Sequence, residues 1–167
     1  MKKSINIFIL ILALLSTSIN AQKNFKKYLL CGSSSFLSGM LDGTIESINY
    51  HYHAGFKPRF KNANDQFWNP ELSWRNKYLN GDPKLGPKFY GSTTSFVFTT
   101  DAYHLLRTSK RSLDGATLVY IINKDCSKKM ERKRKFKNMV KDFAVLTAIR
   151  CAGFHLTYSV LFKVNNK

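Results

Sequence analysis

Acidic residues are scarce in this chain: Asp and Glu number 10 against 27 Lys and Arg, a formal net charge of +17 over 167 residues. A surface of that sign attracts anions. Cysteine is scarce too. Cys31, Cys126 and Cys151 are an odd number without paired spacing, which excludes a disulfide framework or a four-cysteine zinc site and allows at most one internal bridge. Cys31 and Cys151 fall in helix-like apolar segments and are expected to be buried small hydrophobes. Motifs for covalent chemistry are missing. Ser33-Ser34-Ser35 lacks the glycine-flanked elbow that exposes a catalytic serine, and no cysteine has a recognisable histidine companion. No glycine pattern cradles phosphate, and there is neither an internal repeat nor a low-complexity tract. No reaction is legible, so the balance leans away from an enzyme.

What is present begins at the N-terminus. Lys2 and Lys3, an apolar stretch from Ile5 to Leu15, and mostly small residues from Ser16 to Ala21 make residues 1–21 an export signal. The stretch is short for a membrane span, so cleavage after Ala21 is the expectation, with retention as an anchor the alternative. Residues 22–167 then form a single helical domain, long enough for one core. Twenty-five basic residues stay with it. The anions it would meet outside the cytoplasm are phospholipid headgroups, acidic glycans or stray nucleic acid.

The apolar pattern predicts an all-α fold: a small bundle of about four helices with a long irregular, aromatic-rich loop. Tyr28 to His53 reads as a helix with a stripe at Leu30, Leu37, Leu41, Ile45, Ile48 and Tyr52. Beside that stripe, Cys31, Ser35, Gly39, Gly43 and Ser47 recur every fourth residue, a row that admits another helix backbone closely. Met139 to Val164 is apolar nearly all round, as in a central core helix or a membrane span. Its small residues Ala144 and Ala148 are the expected partners of Gly39 and Gly43. Residues 54–88 carry all four prolines with many glycines and asparagines, and their aromatics argue for a packed loop. Phe89 to Thr108 is read as a helix capped by Ser92, and Leu113 to Asn123 as a further short apolar segment. Between residues 107 and 141, 12 basic residues face only Asp114, Asp125 and Glu131. Within it, Lys128, Lys129, Arg132, Lys133, Arg134, Lys135 and Lys137 are the candidate anionic-surface contacts.

Two membrane layouts are consistent with this pattern. In one, a span through residues 90–108 carries Asp101 and His104 into the lipid and the last helix returns outward, with the basic segment inside. In the other, an exported bundle does not cross and rests its basic segment on headgroups.

Candidate chemistry is thin. Asp42, Glu46, Asn49 and His53 share one helical face, and Asp101 and His104 stand one turn apart, a spacing used on metal-binding helices. No second carboxylate–histidine pair of that spacing exists, so no metal or other cofactor is expected. Asp42, Glu46, Asp101, His104 and His155 remain the weak catalytic candidates. Arg150 sits among Phe143, Phe154 and Leu161, and a desolvated guanidinium requires an acid, Asp42, Glu46 or Asp101. The resulting expectation is an exported protein, periplasmic or held at the inner membrane, with a binding or structural role in the cell envelope. Its partner is an anionic membrane surface, and a protein partner in the envelope is compatible. A metal-dependent hydrolase of a phosphate or lipid substrate is the alternative, and a periplasmic binder of acidic polymers the second. Nucleic acid is disfavoured by the export signal and by having only Phe136 among the basic residues.

Overall fold

Helix α1, Ala21–Tyr50, is the axis of the molecule. It contains no proline, and its hydroxyls are turned onto its own backbone: Ser33 onto the Leu29 carbonyl at 2.7 Å, Thr44 onto Met40 at 2.8 Å, Ser47 onto Gly43 at 2.8 Å. At Ser47, which is buried, that satisfies a polar side chain on a face that packs closely. The helix stops at His51 and passes into a widened π-turn, Tyr52–Phe56. The computed structural model describes residues 21–126 and 132–164.

From the π-turn to Thr100 the chain runs through short elements: single-turn helices α2, Asp65–Trp68, and α3, Pro70–Ser73, then several 3-10 turns. Asn64 and Asn69 start α2 and α3 by accepting the Gln66 and Glu71 amides, and Pro70 occupies the first turn of α3. Ser92, fully buried, accepts the Phe89 amide and donates to the Lys77 carbonyl. It ties the excursion together and caps no helix. The predicted helix over 89–108 is therefore corrected: Val97–Thr99 is one 3-10 turn, and α4 starts only at Ala102 and runs to Cys126. Leu113 to Asn123 is absorbed into it. The last helix, α5, spans Arg132–His155, earlier than the apolar pattern alone indicated, and continues as π-turns over Leu156–Leu161.

The protein is all-α; among the described residues only an isolated bridge, Tyr78 to Pro87, breaks that rule. Residue pairings fix the directions. Lys27 meets Asp142, Gly39 lies over Arg150, and Gly43 touches Thr157, so α1 and α5 are parallel. Ser34 meets Thr117, Ser38 meets Asp114, and Asp42 meets Lys110, so α4 is antiparallel to α1. The start of α1, the end of α4 and the start of α5 thus share one end of the bundle. The excursion 51–101 caps the other. A cluster of Ile48, Tyr52, Phe56 and Phe162, joined by Trp68 and Tyr103, seals the cap to the bundle.

The α1–α5 contact is backbone to backbone. A Cβ on Gly39 would lie 2.1 Å from the Arg150 carbonyl oxygen, and one on Gly153 2.2 Å from that of Phe36. Only glycine fits. The small residue on α5 that faces α1 is Gly153; Ala144 and Ala148 are exposed instead.

Candidate functional site

Where the helices meet, many of the buried side chains are polar, and most of the large apolar ones lie on the faces left exposed. Halfway along the bundle, Arg150 of α5 donates to Asp42 of α1 at 2.9 Å and to Asp114 of α4 at 3.0 Å. Lys110 of α4 closes on Asp42 at 3.1 Å, and the Ser38 hydroxyl donates to Asp114 at 2.6 Å. Two cations and two carboxylates from three helices neutralise one another. A salt bridge of this kind fixes register more surely than it adds stability. Of the three alternatives for the acid facing Arg150, the structure selects Asp42 and not Glu46 or Asp101, and it adds Asp114. Glu46 joins no ion pair among the described residues.

At the end where α1 begins, Lys27 and Asp142 form a buried ion pair, and the Tyr28 hydroxyl donates to the other Asp142 oxygen at 2.7 Å. Arg134 and Lys137 are exposed and Lys135 half-buried, so this end of the bundle is positive. Lys128 and Lys129 lie outside the described residues; Arg132 and Lys133 open α5.

Asp101 and His104 stand at the opposite end. Asp101, 1 % exposed, caps α4: one oxygen accepts the His104 amide at 2.8 Å, the other the Thr100 hydroxyl at 3.0 Å. His104 Nδ1 lies 2.8 Å from the same carboxylate. A carboxylate only accepts, so Nδ1 carries its hydrogen. Both residues sit at the cap, not within a span over 90–108 as one membrane layout required. Lys110, and with it Asp42, lies about 13 Å further along α4 at 1.5 Å per residue. The structure thus keeps Asp42 and Asp101 apart. His155 is exposed on α5; its Nδ1 lies 3.2 Å from the Ser159 hydroxyl and its ring meets Phe154 edge to face. The five catalytic candidates do not converge. Among the described residues, no three of His, Cys, Asp and Glu are grouped to hold a metal ion.

In the cap, Asp65 accepts from Lys57 and, at 2.7 Å, from the Tyr52 hydroxyl. These hydrogen bonds, Lys57 first, hold its carboxyl below the usual carboxylate range. Burial, followed by the bond to Asp65, pushes the Tyr52 phenol up.

Between the two ends runs an apolar surface. Helix α5 presents Met139, Val140, Phe143, Leu156, Val160 and Leu161, α4 presents Leu118, Val119 and Ile122, and α1 presents Leu29, Leu30 and Leu37, all exposed. Arg134–Leu161 is long and apolar enough to cross a membrane, yet only 11 % of its most apolar window is buried. A core helix was one expectation for it, and the exposure corrects that. Cys151 is exposed for the same reason, whereas Cys31 is buried. Arg111 limits the apolar belt on α4 to Ser112–Asn123, about 18 Å at the helical rise, with Asp114 turned to Arg150 and Ser38; on α5 it runs from Phe143 to Leu161 with Arg150 turned inward.

Lys110, Asp114 and the Lys27–Asp142 pair were not singled out from the sequence. Lys110 and Asp114 are four residues apart on one helix face, with Asp114 inside an apolar segment; that is the signal that points to them. No known family model, curated protein or solved structure matches this chain.

Proposed function

We propose that the protein is exported and lodged at the inner membrane, its apolar belt in lipid and its basic end on anionic headgroups, with a binding or structural role in the envelope. One observation carries this reading: the bundle is turned inside out. In water, apolar side chains go inside and charges outside. Here Ser35, Ser38, Ser47, Asp142 and Thr157 are buried within the bundle while leucines, valines and phenylalanines cover it. Small and hydroxyl residues between helices, with the apolar ones outward, are what packing in lipid favours, since lipid offers no hydrophobic gain for burying leucine. Charges in such a setting pair inward, as Arg150, Asp42, Asp114 and Lys110 do. Each cation at the basic end near an anionic surface adds about 1 kcal/mol.

Extraction tests the reading directly. Membranes from cells making the full chain are washed with high salt and with alkaline carbonate, then with detergent. The protein should resist both washes and leave with detergent. Release by osmotic shock alone, as a monodisperse water-soluble protein, would overturn it.

A further inference from the structure

Where the cap meets α1 and α5 there is an open groove of about 720 Å³, walled by Met40, Phe56, Phe60, Trp68, Leu161 and Phe162. Its volume falls within the usual range for a small-molecule site, and most of its lining surface is apolar. Two features identify the occupant. Leu161 belongs both to the groove and to the exposed belt of α5, so the groove opens onto the surface assigned to lipid. Its rim carries Arg59 and Lys61 and no acid. Arg59 is engaged, donating to the Gly55 carbonyl at 2.6 Å and to that of Lys163 at 2.7 Å. Lys61 is exposed and has no acidic partner among the described residues; Asp65 pairs with Lys57.

We infer that this groove holds one acyl chain of an anionic phospholipid, with the lipid phosphate on Lys61. A zwitterionic headgroup would want a carboxylate for its ammonium, and the rim offers none. The inference rests on the membrane reading above and adds a stoichiometric site to it, one that clamps the cap onto α1 and α5.

The chain has two tryptophans. Trp68 lines the groove and Trp74 does not, so Trp74→Phe leaves one reporter. In detergent solution, this variant is titrated with phosphatidylglycerol, and separately phosphatidylcholine, brominated along the acyl chain. Quenching of Trp68 should saturate near one phosphatidylglycerol per protein, with phosphatidylcholine at least about tenfold weaker. Lys61→Glu should erase that preference, and Ala63→Phe, which narrows the groove, should abolish saturable quenching while the thermal melt of each variant stays cooperative. Non-saturable quenching, or equal affinity for the two lipids, overturns the site. A belt reporter, Phe143→Trp in a Trp68→Phe, Trp74→Phe background, is read in vesicles of the same lipids. If Phe143→Trp is quenched and Trp68 shows no saturable site, the groove inference falls and the membrane reading stands. If neither is quenched, both fall.

Discussion

The bundle and the cap are built from one chain by opposite rules. In the cap, a small aromatic core goes inward, although Phe60, Trp74, Phe89, Tyr90 and Phe96 stay exposed: Phe56 stacks on Tyr52 at 5.7 Å and on Trp68 at 5.1 Å between ring centres and leans on Phe162 at 5.4 Å. Polar groups there close turns or face out, as water requires. In the bundle, glycines, serines and paired charges go inward beside Ile45 and Ile48, and most of the large apolar residues face out. Cohesion therefore has two sources. Burial of apolar surface holds the cap, whereas close backbone contact, hydrogen bonds and ion pairs hold the helices.

The sharpest way to break this contrast is in the cap. Phe56→Ala should cost about 3–5 kcal/mol, the usual loss for a buried phenylalanine, and should show as early loss of tryptophan fluorescence while far-ultraviolet helicity persists. Helicity and fluorescence lost together would mean that the two regions share one core. The glycines come next. Gly39→Ala should destabilise by about 1–3 kcal/mol, because its Cβ meets the Arg150 backbone and overpacking costs that much. Gly115 has open space around it, so Gly115→Ala should stabilise α4 by up to about 1 kcal/mol through helix propensity alone. Thermal melts in detergent read both, and the same sign at the two positions would remove the close-packing argument.

A smaller effect is expected at the ion cluster. Arg150→Leu strands Asp114 with only Ser38 and should cost about 1 kcal/mol, the scale of interhelical polar contacts in lipid. Adding Asp114→Leu should restore much of that. A single variant as stable as the parent would show that the guanidinium gains nothing from its partners.

The smallest effect is a pH dependence confined to the cap. The folded Asp65 carboxyl is held below its unfolded value, so its contribution is fully present above that value, near pH 4, and is lost as pH falls through the lower folded value. Trp68 fluorescence should loosen below about pH 4, and Asp65→Asn should remove that dependence. A transition unchanged in Asp65→Asn would place the acid sensitivity elsewhere.

Much of the helical plan was legible from local pattern. The four-residue row Cys31, Ser35, Gly39, Gly43, Ser47 is written in the chain, and so is the apolar length of the last helix. The answering residue was not. Gly153, rather than Ala144 or Ala148, faces α1, because the crossing of two helices depends on rotation about their axes, which a pattern on one of them leaves open. The segment 89–108 misled for a related reason: Ser92 read as the cap, but Asp101 accepts the His104 amide and starts the helix there. Asp114 gave only the faint signal of an acid among apolar neighbours, since its meaning comes from Arg150, 36 residues away.

By itself, the sequence determined that this chain is helical, strongly basic along one stretch and able to let two helices approach without side chains between them, because periodicity, charge and the absence of a Cβ are local properties. Tertiary structure alone decided that α1 and α5 run parallel. It also decided that the charges of three helices cancel at one level, and that the apolar faces are left outward. Each of those depends on which surfaces meet, and a surface left uncovered is defined only once every other has found its partner.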